Sequence, residues 1–366
     1  MPINNGECTH RIGSLYFYLT EGCNLRCRHC WLAPKYEPGD LKHPYLDFDL
    51  FCSIIKQARP LGLTIVKLTG GEPLLHPQIS EMIDYIKTEG LTLAIETNGV
   101  LCSREIARQV AETEMPLVSV SLDGVNASTH EWMRGVEGCF EAALTGISNL
   151  ISAGIHPQVI MSITRRNREE MEDLVRLCES LGVGSVKFNV ITPTARGEAM
   201  HRTGETLSIH ELVSTGEWVE KELIPSSRIR IFYDHPAAFR PLSRMFGDEN
   251  SGCGVCGILG ILGVLGDGSY ALCGIGATVP ELIFGNAAHD RLEDVWNNNP
   301  ILGDIREGLP HRLEGICERC MMKAFCLGSC IAQNYYTHHS LWNSFWYCEE
   351  AYQAGLFPES RLRPAE

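Results

Sequence analysis

The amino-acid sequence predicts an α/β protein in two parts: a parallel-sheet domain, followed by a smaller cysteine-rich domain. The first observation is that apolar, β-branched strands alternate six times with amphipathic helical stretches before about residue 208. The second is that polar, glycine-rich turns follow the strands. The third is that eight of the 16 cysteines fall after residue 250, in short-spaced sets. Such spacing indicates metal ligation in a reducing compartment rather than disulfides.

The six expected strands and their helices set the size of the first part. The strands cover residues 15–19, 64–68, 92–96, 118–122, 158–163 and 185–190. The helical stretches cover residues 48–58, 79–88, 103–111, 140–153 and 168–181. Six repeats are two fewer than a closed eightfold barrel needs. A partial, laterally open (β/α)6 barrel fits this count, and an open doubly wound sheet has the same local pattern.

The first strand leads into a close cysteine triplet, Cys23, Cys27 and Cys30, with the spacing C-x3-C-x2-C. Three thiolates this close can ligate three irons of a 4Fe–4S cluster and leave the fourth iron without a protein ligand. A substrate or cofactor can then bind that open iron, so the triplet predicts chemistry at the cluster. A structural zinc knuckle is the alternative.

The turns after the next three strands are rich in glycine and polar residues. They are residues 70–73 (Gly-Gly-Glu-Pro), 96–99 (Glu-Thr-Asn-Gly) and 121–124 (Ser-Leu-Asp-Gly). The carboxyl ends of parallel barrel strands meet at one face, and glycine lets a backbone approach a ligand closely. We therefore expect these turns to form a cofactor site with the cysteine loop, although ordinary βα turns use the same residue types.

The cysteine triplet and the later cysteines resemble a known family. Residues 21–30 (Glu-Gly-Cys-Asn-Leu-Arg-Cys-Arg-His-Cys) resemble the motif of the radical S-adenosylmethionine (SAM) enzymes. The later spacing, which includes C-x2-C-x5-C-x3-C from Cys317 to Cys330, resembles the SPASM extension of many peptide-modifying members. The resemblance implies the partial barrel fold. It also implies that the open iron chelates SAM, whose cleavage gives a 5′-deoxyadenosyl radical that abstracts hydrogen from a substrate.

The same resemblance implies three 4Fe–4S clusters, one at the triplet and two auxiliary ones. The first auxiliary cluster would be held by Cys253, Cys256, Cys273 and Cys330. The second would be held by Cys317, Cys320, Cys326 and Cys348. The pattern requires one upstream cysteine, so without Cys253 the first auxiliary cluster would have an open iron. A pair of zinc ribbons is the alternative for these residues.

Contacts to SAM are implied by position in the family pattern. They are His29, Gly70, Gly71, Glu72, Ser121, Asp123, Arg134, Ser162 and Ile191. Among them, Arg134 resembles the arginine that pairs with the SAM carboxylate, a geometry that suits guanidinium. Ser162 would reach the ribose, and His29 and Ile191 would lie near the adenine. A surface helix charge at Arg134 and interior strand residues at the other two positions are the alternatives.

The expected domains are residues 1–208 for the barrel, 209–250 for a bridge, 251–350 for the SPASM domain and 351–366 for a tail. The bridge is expected to hold one helix over residues 211–223 and one strand over residues 228–233. A hairpin is expected about Gly266-Asp267-Gly268.

Charge and hydropathy restrict the partners. The net charge of −14 argues against nucleic acid and against an anionic membrane surface. The sequence has no signal segment and no apolar run of membrane-spanning length, so we expect a cytoplasmic protein. An acidic chain should also bind a neutral or basic segment of a substrate more easily than an acidic one.

These features predict an oxidoreductase or lyase that modifies a ribosomally made precursor peptide by crosslinking, epimerisation or backbone excision. Few residues precede Cys23, so we expect a separate small leader-binding protein, together with an electron donor of flavodoxin or ferredoxin type. Sulfatase-maturing relatives have an aspartate directly after the cysteine that corresponds to Cys273; Gly274 stands there in this chain and argues against that reaction. The alternatives are a SPASM-type enzyme acting on a small molecule such as a haem precursor, and a non-catalytic iron–sulfur electron carrier.

Overall fold

A ten-stranded sheet forms the centre of the protein. The computed structural model describes residues 10–37, 43–246 and 256–364. In chain order the strands of this sheet are β1 Ser14–Tyr18, β2 Ile65–Thr69, β3 Thr92–Thr97, β4 Leu117–Ser121, β5 Gln158–Ile163, β6 Ser185–Val190, β7 Arg230–Tyr233, β8 Ile261–Val264, β9 Ser269–Ala271 and β10 Ile283–Asn286. They lie side by side in the order β10-β9-β8-β1-β2-β3-β4-β5-β6-β7.

Helices follow most of the parallel strands, and a further group lies in the cysteine-rich part. Those of the first part are α1 Phe48–Ala58, α2 Ile79–Thr88, α3 Arg104–Ala111, α4 Ala127–Arg134, α5 Cys139–Ser152, α6 Met171–Leu181, α7 Arg196–Arg202 and α8 Ile209–Trp218. The later ones are α9 Leu242–Phe246, α10 Leu292–Asn298, α11 Pro300–Gly308, α12 Gly315–Arg319, α13 Lys323–Cys326, α14 Ile331–His338 and α15 Trp346–Gln353. No helix in the described ranges is both long and apolar enough to cross a membrane.

The strand order decides between the two folds that the sequence left open. Strands β1 to β6 run parallel and lie in chain order, each paired with the next. A doubly wound sheet would reverse its order near the middle, whereas a barrel keeps it. The edge strands of the described sheet are β7 and β10, so the barrel is partial and open. The fold class predicted from the sequence is therefore confirmed.

The later strands join the same sheet, which the sequence pattern did not predict. Strand β7, in the expected bridge, pairs in parallel with β6. Strand β8 pairs in parallel with β1, with Ser14 opposite Ile261. The expected hairpin β8–β9 thus extends the sheet beyond its first strand instead of forming a separate layer. This pairing fixes the cysteine-rich part against the barrel.

Alternation along the strands separates an apolar core from a polar barrel interior. In β6, Val186 and Phe188 face the helices and belong to the main hydrophobic core. Ser185, Lys187 and Asn189 point to the other side, where they line cavities inside the barrel. Because side chains in a strand alternate between faces, one strand serves both environments. We call the space inside the open barrel the lumen.

Candidate active site

The cysteine triplet lies on a loop after β1 that neighbouring elements hold in place. Cys23 and Cys27 are buried and Cys30 is half-buried. The end of α4 fixes the middle of the loop, because Arg26 N donates to the carbonyl of Arg134 at 2.9 Å. The side chain of Arg196, on α7, donates to the carbonyl of Cys27 at 3.2 Å. The loop therefore presents its three thiols on a supported backbone, and Arg196 is a supporting residue that the sequence analysis missed.

The two glycines after β2 let that turn touch the cysteine loop. Gly71 N donates to the carbonyl of Thr20 at 3.0 Å, and Glu72 N donates to that of Gly22 at 3.0 Å. A Cβ at position 71 would lie 1.8 Å from the carbonyl oxygen of Gly22. Gly70 has a φ of +128°, which is open to glycine and strained for other residues. Both glycines are thus needed for this close approach.

The carboxylate of Glu72 joins two turns of the site. It is buried and accepts hydrogen bonds from Thr97 Oγ1 at 2.7 Å, Asn98 N at 2.9 Å and Leu74 N at 3.1 Å. Burial raises the pKa of this carboxyl group, and the three donors oppose that rise. The side chain therefore fixes the turns after β2 and β3 relative to each other.

A buried ion pair lies directly beneath the triplet. Arg134 Nε is 2.6 Å from Asp123 Oδ2, and both side chains are buried. Arg134 Nη1 also lies 3.6 Å from the Sγ of Cys27. Burial alone would raise the pKa of Asp123, but the Arg134 charge, together with His29, His130 and the hydrogen bond from Ser162 N, holds that pKa below its usual range. Asp123 Oδ1 further accepts a hydrogen bond from Ser162 N at 2.8 Å, so the pair connects three elements.

In the lining of the cavity beside the triplet, two buried polar atoms have neither a hydrogen bond nor an ion pair with the described residues. They are His29 Nδ1 and Asn189 Oδ1, and both residues line the cavity beside the triplet. Burial lowers the pKa of His29 to about 4, so its imidazole is neutral at physiological pH. Buried polar atoms are nearly always hydrogen-bonded, so two unpaired ones in a cavity fit a polar cofactor there.

The structure gathers most of the predicted SAM contacts around one cavity of about 210 Å³. The cavity is lined by the three triplet cysteines and by His29, Gly70, Gly71, Glu72, Ser121, Arg134 and Ser162. Asp123 lies below it with no exposed surface. Ile191 lies elsewhere, in a small apolar cluster with Met133 and Met200. Four further lining residues were not predicted from the sequence: Ser119, Lys187, Asn189 and Arg196.

The four cysteines expected to hold the second auxiliary cluster surround one small cavity. Cys317, Cys320, Cys326 and Cys348 line a space of about 20 Å³ between α12, α13 and α15. Burial raises the pKa of the Cys317 thiol to about 12, and burial also raises that of Cys348. Such thiols lose their protons when a metal binds. A donor set made only of sulfur fits an iron–sulfur cluster.

Three of the four cysteines expected at the first auxiliary cluster are also neighbours. Cys256 and Cys330 line a cavity of about 140 Å³. Burial raises the pKa of Cys273, and the charges of Cys330 and Cys256 raise it further, as expected for neighbouring thiols. Cys253 lies outside the described residues. Within the described ranges, no three His, Cys, Asp or Glu side chains converge on a single metal-ion position.

Two protein-family models match the parts of the chain that form this site and the cysteine-rich domain. A family model for the radical SAM superfamily matches residues 17–178, which include the triplet and the turns after β2 to β4. A model for the SPASM iron–sulfur cluster-binding domain matches residues 253–321. The chain is therefore a radical SAM enzyme, a class that binds SAM at an iron–sulfur cluster. More particularly, it is a radical SAM/SPASM enzyme, in which the radical SAM domain is followed by a SPASM domain, a type of domain that binds iron–sulfur clusters.

Its relatives act on different kinds of molecule. The AdoMet-dependent heme synthase of Methanosarcina barkeri is 29% identical over 326 residues, which are 87% of this chain and 90% of the relative. The mycofactocin maturase MftC of Mycobacterium ulcerans is 28% identical over 359 residues, 96% of this chain and 91% of the relative. The crystal structure of Streptococcus suis SuiB bound to S-adenosylmethionine has the same fold, with a TM-score of 0.71 at 18% identity. The match covers 93% of this chain and 78% of SuiB.

Proposed function

We propose that this enzyme modifies a ribosomally made precursor peptide, using SAM at the triplet and two auxiliary 4Fe–4S clusters in the SPASM domain. The observation that carries this proposal is that the triplet lines a cavity at the strand ends of the lumen. Cys273 follows β9, which belongs to the same sheet as the barrel strands. A substrate in the lumen would therefore lie beside the triplet, and the sheet connects that site to the SPASM cysteines.

The residues of this chain have separate tasks in that reaction. When bound, SAM and the reduced cluster supply a 5′-deoxyadenosyl radical that removes a hydrogen atom from the substrate. The triplet cysteines would hold the cluster, and the backbone of Gly70 and Gly71 would contact SAM. Arg134 and Asp123 keep the loop and strand ends in register. The walls of the barrel limit the access of water to the reacting atoms.

The structure also explains why an acid is missing after Cys273. A Cβ at Gly274 would lie 2.3 Å from the ring of Tyr18, on β1. Tyr18 is buried and fills the space that a side chain at position 274 would need. This packing supports a reaction that does not use a proton acceptor at that position, and hence a reaction other than sulfatase maturation.

A peptide substrate is supported by two comparisons. The mycofactocin maturase is similar over 96% of this chain. A second structure of SuiB, with a TM-score of 0.71, is bound to the precursor peptide SuiA. We further propose that a small separate protein delivers the peptide and that a flavodoxin or ferredoxin supplies electrons. A flexible peptide loses entropy on binding, which a delivery protein can offset.

A second candidate function is the modification of a haem precursor. It is favoured by the similarity to AdoMet-dependent heme synthases, which extends over 87% of this chain in the relative from Methanosarcina barkeri. The two functions share the radical SAM chemistry and differ in the molecule placed in the lumen.

An anaerobic assay with product analysis tests the proposal. The reconstituted enzyme is given SAM, a strong reductant and either a candidate precursor peptide, with and without a small partner protein, or iron coproporphyrin. We expect a mass change in the peptide and a matching amount of 5′-deoxyadenosine. Modification of the porphyrin instead would favour the second function. SAM cleavage that persists when all three triplet cysteines are replaced by alanine would contradict both.

Iron analysis tests the number of clusters. Three clusters predict about twelve irons per chain after anaerobic reconstitution. A content of about four irons with stoichiometric zinc would show that the SPASM cysteines form zinc sites instead.

A further inference from the structure

The lumen of the barrel is polar and contains two adjacent cavities. The cavity beside the triplet shares Glu96 and Ser119 with a second cavity of about 410 Å³ nearer the other end of the strands. Eight-stranded barrels are usually filled by apolar side chains. Here the inward positions instead carry charged and hydroxyl groups, so the lumen can hold a polar molecule.

One of the two lysines in this lumen is already neutralised. Lys67 Nζ lies 2.5 Å from Glu96 Oε1 and 4.6 Å from the centre of the Tyr16 ring. The other is Lys187, on β6, which lines the cavity beside the triplet. No carboxylate of the described residues lies within ion-pair distance of Lys187, and none of their polar groups shares a hydrogen bond with it. The half-buried Lys187 ammonium is therefore a cation without a counter-charge in the part of the chain that the structure describes.

The other charges of this cavity do not neutralise Lys187. Glu72 accepts three hydrogen bonds from neighbouring turns, and Glu96 is paired with Lys67. Asp123 is paired with Arg134 beneath the cavity floor. Arg196 adds a second positive charge, because its guanidinium donates to backbone carbonyls and is paired with no carboxylate of the described residues. The cavity is thus locally positive in a chain whose net charge is −14.

We propose that Lys187 binds a carboxylate group of the substrate inside the lumen, which makes it a residue that determines substrate specificity. This inference rests on the proposed function, and it adds that the substrate is anionic near its reacting end. An ammonium that is partly removed from water is stabilised by a charge-assisted hydrogen bond to a carboxylate. The carboxylate can belong to a peptide or to a tetrapyrrole, since both carry this group.

The position of Lys187 separates it from the expected SAM contacts on the neighbouring strands. Asn189, opposite Ser162 in the sheet register, lies at the carboxyl end of β6, where SAM contacts are expected. Lys187 lies two residues earlier on β6, about 7 Å deeper along the strand. A group bound by Lys187 would therefore lie on the lumen side of the SAM site, where a substrate would face the radical.

Binding measurements with paired acids and neutral derivatives test this proposal. The first pair is a candidate precursor peptide and the same peptide with every carboxyl group amidated. The second pair is coproporphyrin III and its tetramethyl ester. Each probe, and SAM, is titrated anaerobically into the reconstituted wild type and into Lys187→Met, Lys187→Arg and Lys221→Met. Lys221 is an exposed lysine paired with Glu217 on the enzyme surface and serves as the matched control.

We expect the wild type to bind the acid of one pair at least about tenfold more tightly than its neutral form. Lys187→Met should abolish this preference, whereas Lys187→Arg and Lys221→Met should retain it. The affinity for SAM should change less than about twofold in every variant. The pair that shows the preference identifies the carboxylate as that of a peptide or of a tetrapyrrole.

Three results would overturn the proposal. The first is a wild type that binds neither acid better than its neutral form. The second is a preference that survives in Lys187→Met. The third is a tenfold loss of SAM affinity in Lys187→Met, which would assign the lysine to the carboxylate of SAM. Iron content and SAM cleavage without substrate, measured on the same preparations, report separately on the radical SAM function. A failure of that function is therefore distinguishable from a failure of this inference.

Discussion

The buried pair of Arg134 and Asp123 offers a quantitative test of how the cysteine loop is held. We consider Arg134→Met, Asp123→Asn and the double variant. Arg134→Met would leave the carboxylate of Asp123 without a cation at a site with no solvent exposure. Asp123→Asn keeps an oxygen that can accept from Ser162 N but leaves the guanidinium without its counter-charge.

The expected effects follow from the burial of both charges. Removal of one partner of a buried ion pair costs about 3–5 kcal/mol, because the other charge remains uncompensated. The double variant removes both charges, so its loss of stability should be smaller than the sum of the single losses by about 2 kcal/mol or more. The exposed pair of Arg176 and Asp173 provides the control, and Arg176→Met should cost less than about 1 kcal/mol.

The assay is anaerobic thermal unfolding of the reconstituted variants. Because the protein has several domains, apparent midpoints are compared within this series only. The midpoint should fall by roughly 5–15 °C in Arg134→Met and by no more than a few degrees in Arg176→Met. Single losses that simply add in the double variant, or an Arg134→Met midpoint equal to that of the control, would refute the view that this pair supports the loop.

Three further predictions concern the loop and its supports. Replacement of the three triplet cysteines by alanine should abolish 5′-deoxyadenosine formation while about two thirds of the iron remains; an unchanged iron content would contradict it. Gly71→Ala should lose SAM binding in a titration, because its Cβ would lie 1.8 Å from the carbonyl oxygen of Gly22, whereas Gly303→Ala, with open space around it, should bind SAM normally. Ser208→Ala should cost about 1 kcal/mol in thermal unfolding, because it removes the capping box with Glu211 at the start of α8, and an unchanged midpoint would count against this.

The strands were predictable because each repeats a strong local pattern. The expected strands at residues 158–163 and 185–190 have the observed bounds. The one expected at residues 92–96 ends one residue early, and the other three are shifted by one residue along the chain. Helix α4 was not predicted, because Ala127–Arg134 is short and carries few apolar residues. Its cap at Asn126 and the left-handed Gly135 after it were the signals available in the sequence.

The pairing of distant strands was not predictable from local patterns. The parallel contact of β8 with β1 joins residues that are about 250 positions apart, and nothing in either segment specifies the partner. For the same reason, the family resemblance could group the cysteines expected at each auxiliary cluster, but the sequence could not place them relative to the triplet. The cluster number, the role of Cys253 and the cytoplasmic location stay predictions.

The residues expected to contact SAM show where resemblance and packing differ. Ser121 and Ser162 line the cavity as the resemblance implies. Asp123 is instead buried under it in contact with Arg134, and Ile191 packs among methionines. A position next to a motif does not reveal which way a side chain points. The polar lumen was nevertheless visible in the sequence, because Ser185, Lys187 and Asn189 occupy alternate positions of one strand.

The net charge of the whole chain predicts that the enzyme binds a neutral or basic segment of its substrate, and the charge of the lumen modifies this prediction. The net charge of −14 describes mainly the outer surface and favours a neutral or basic segment there. Lys187 and Arg196 give the cavity beside the triplet the opposite sign. A substrate with a neutral or basic recruiting part would be attracted to the acidic outer surface, and an anionic reacting part would be attracted to the positive cavity. The two attractions together would determine which end of the substrate enters the barrel. Salt should weaken the outer contact more than the lumen contact, because exposed charges are screened more strongly than partly buried ones.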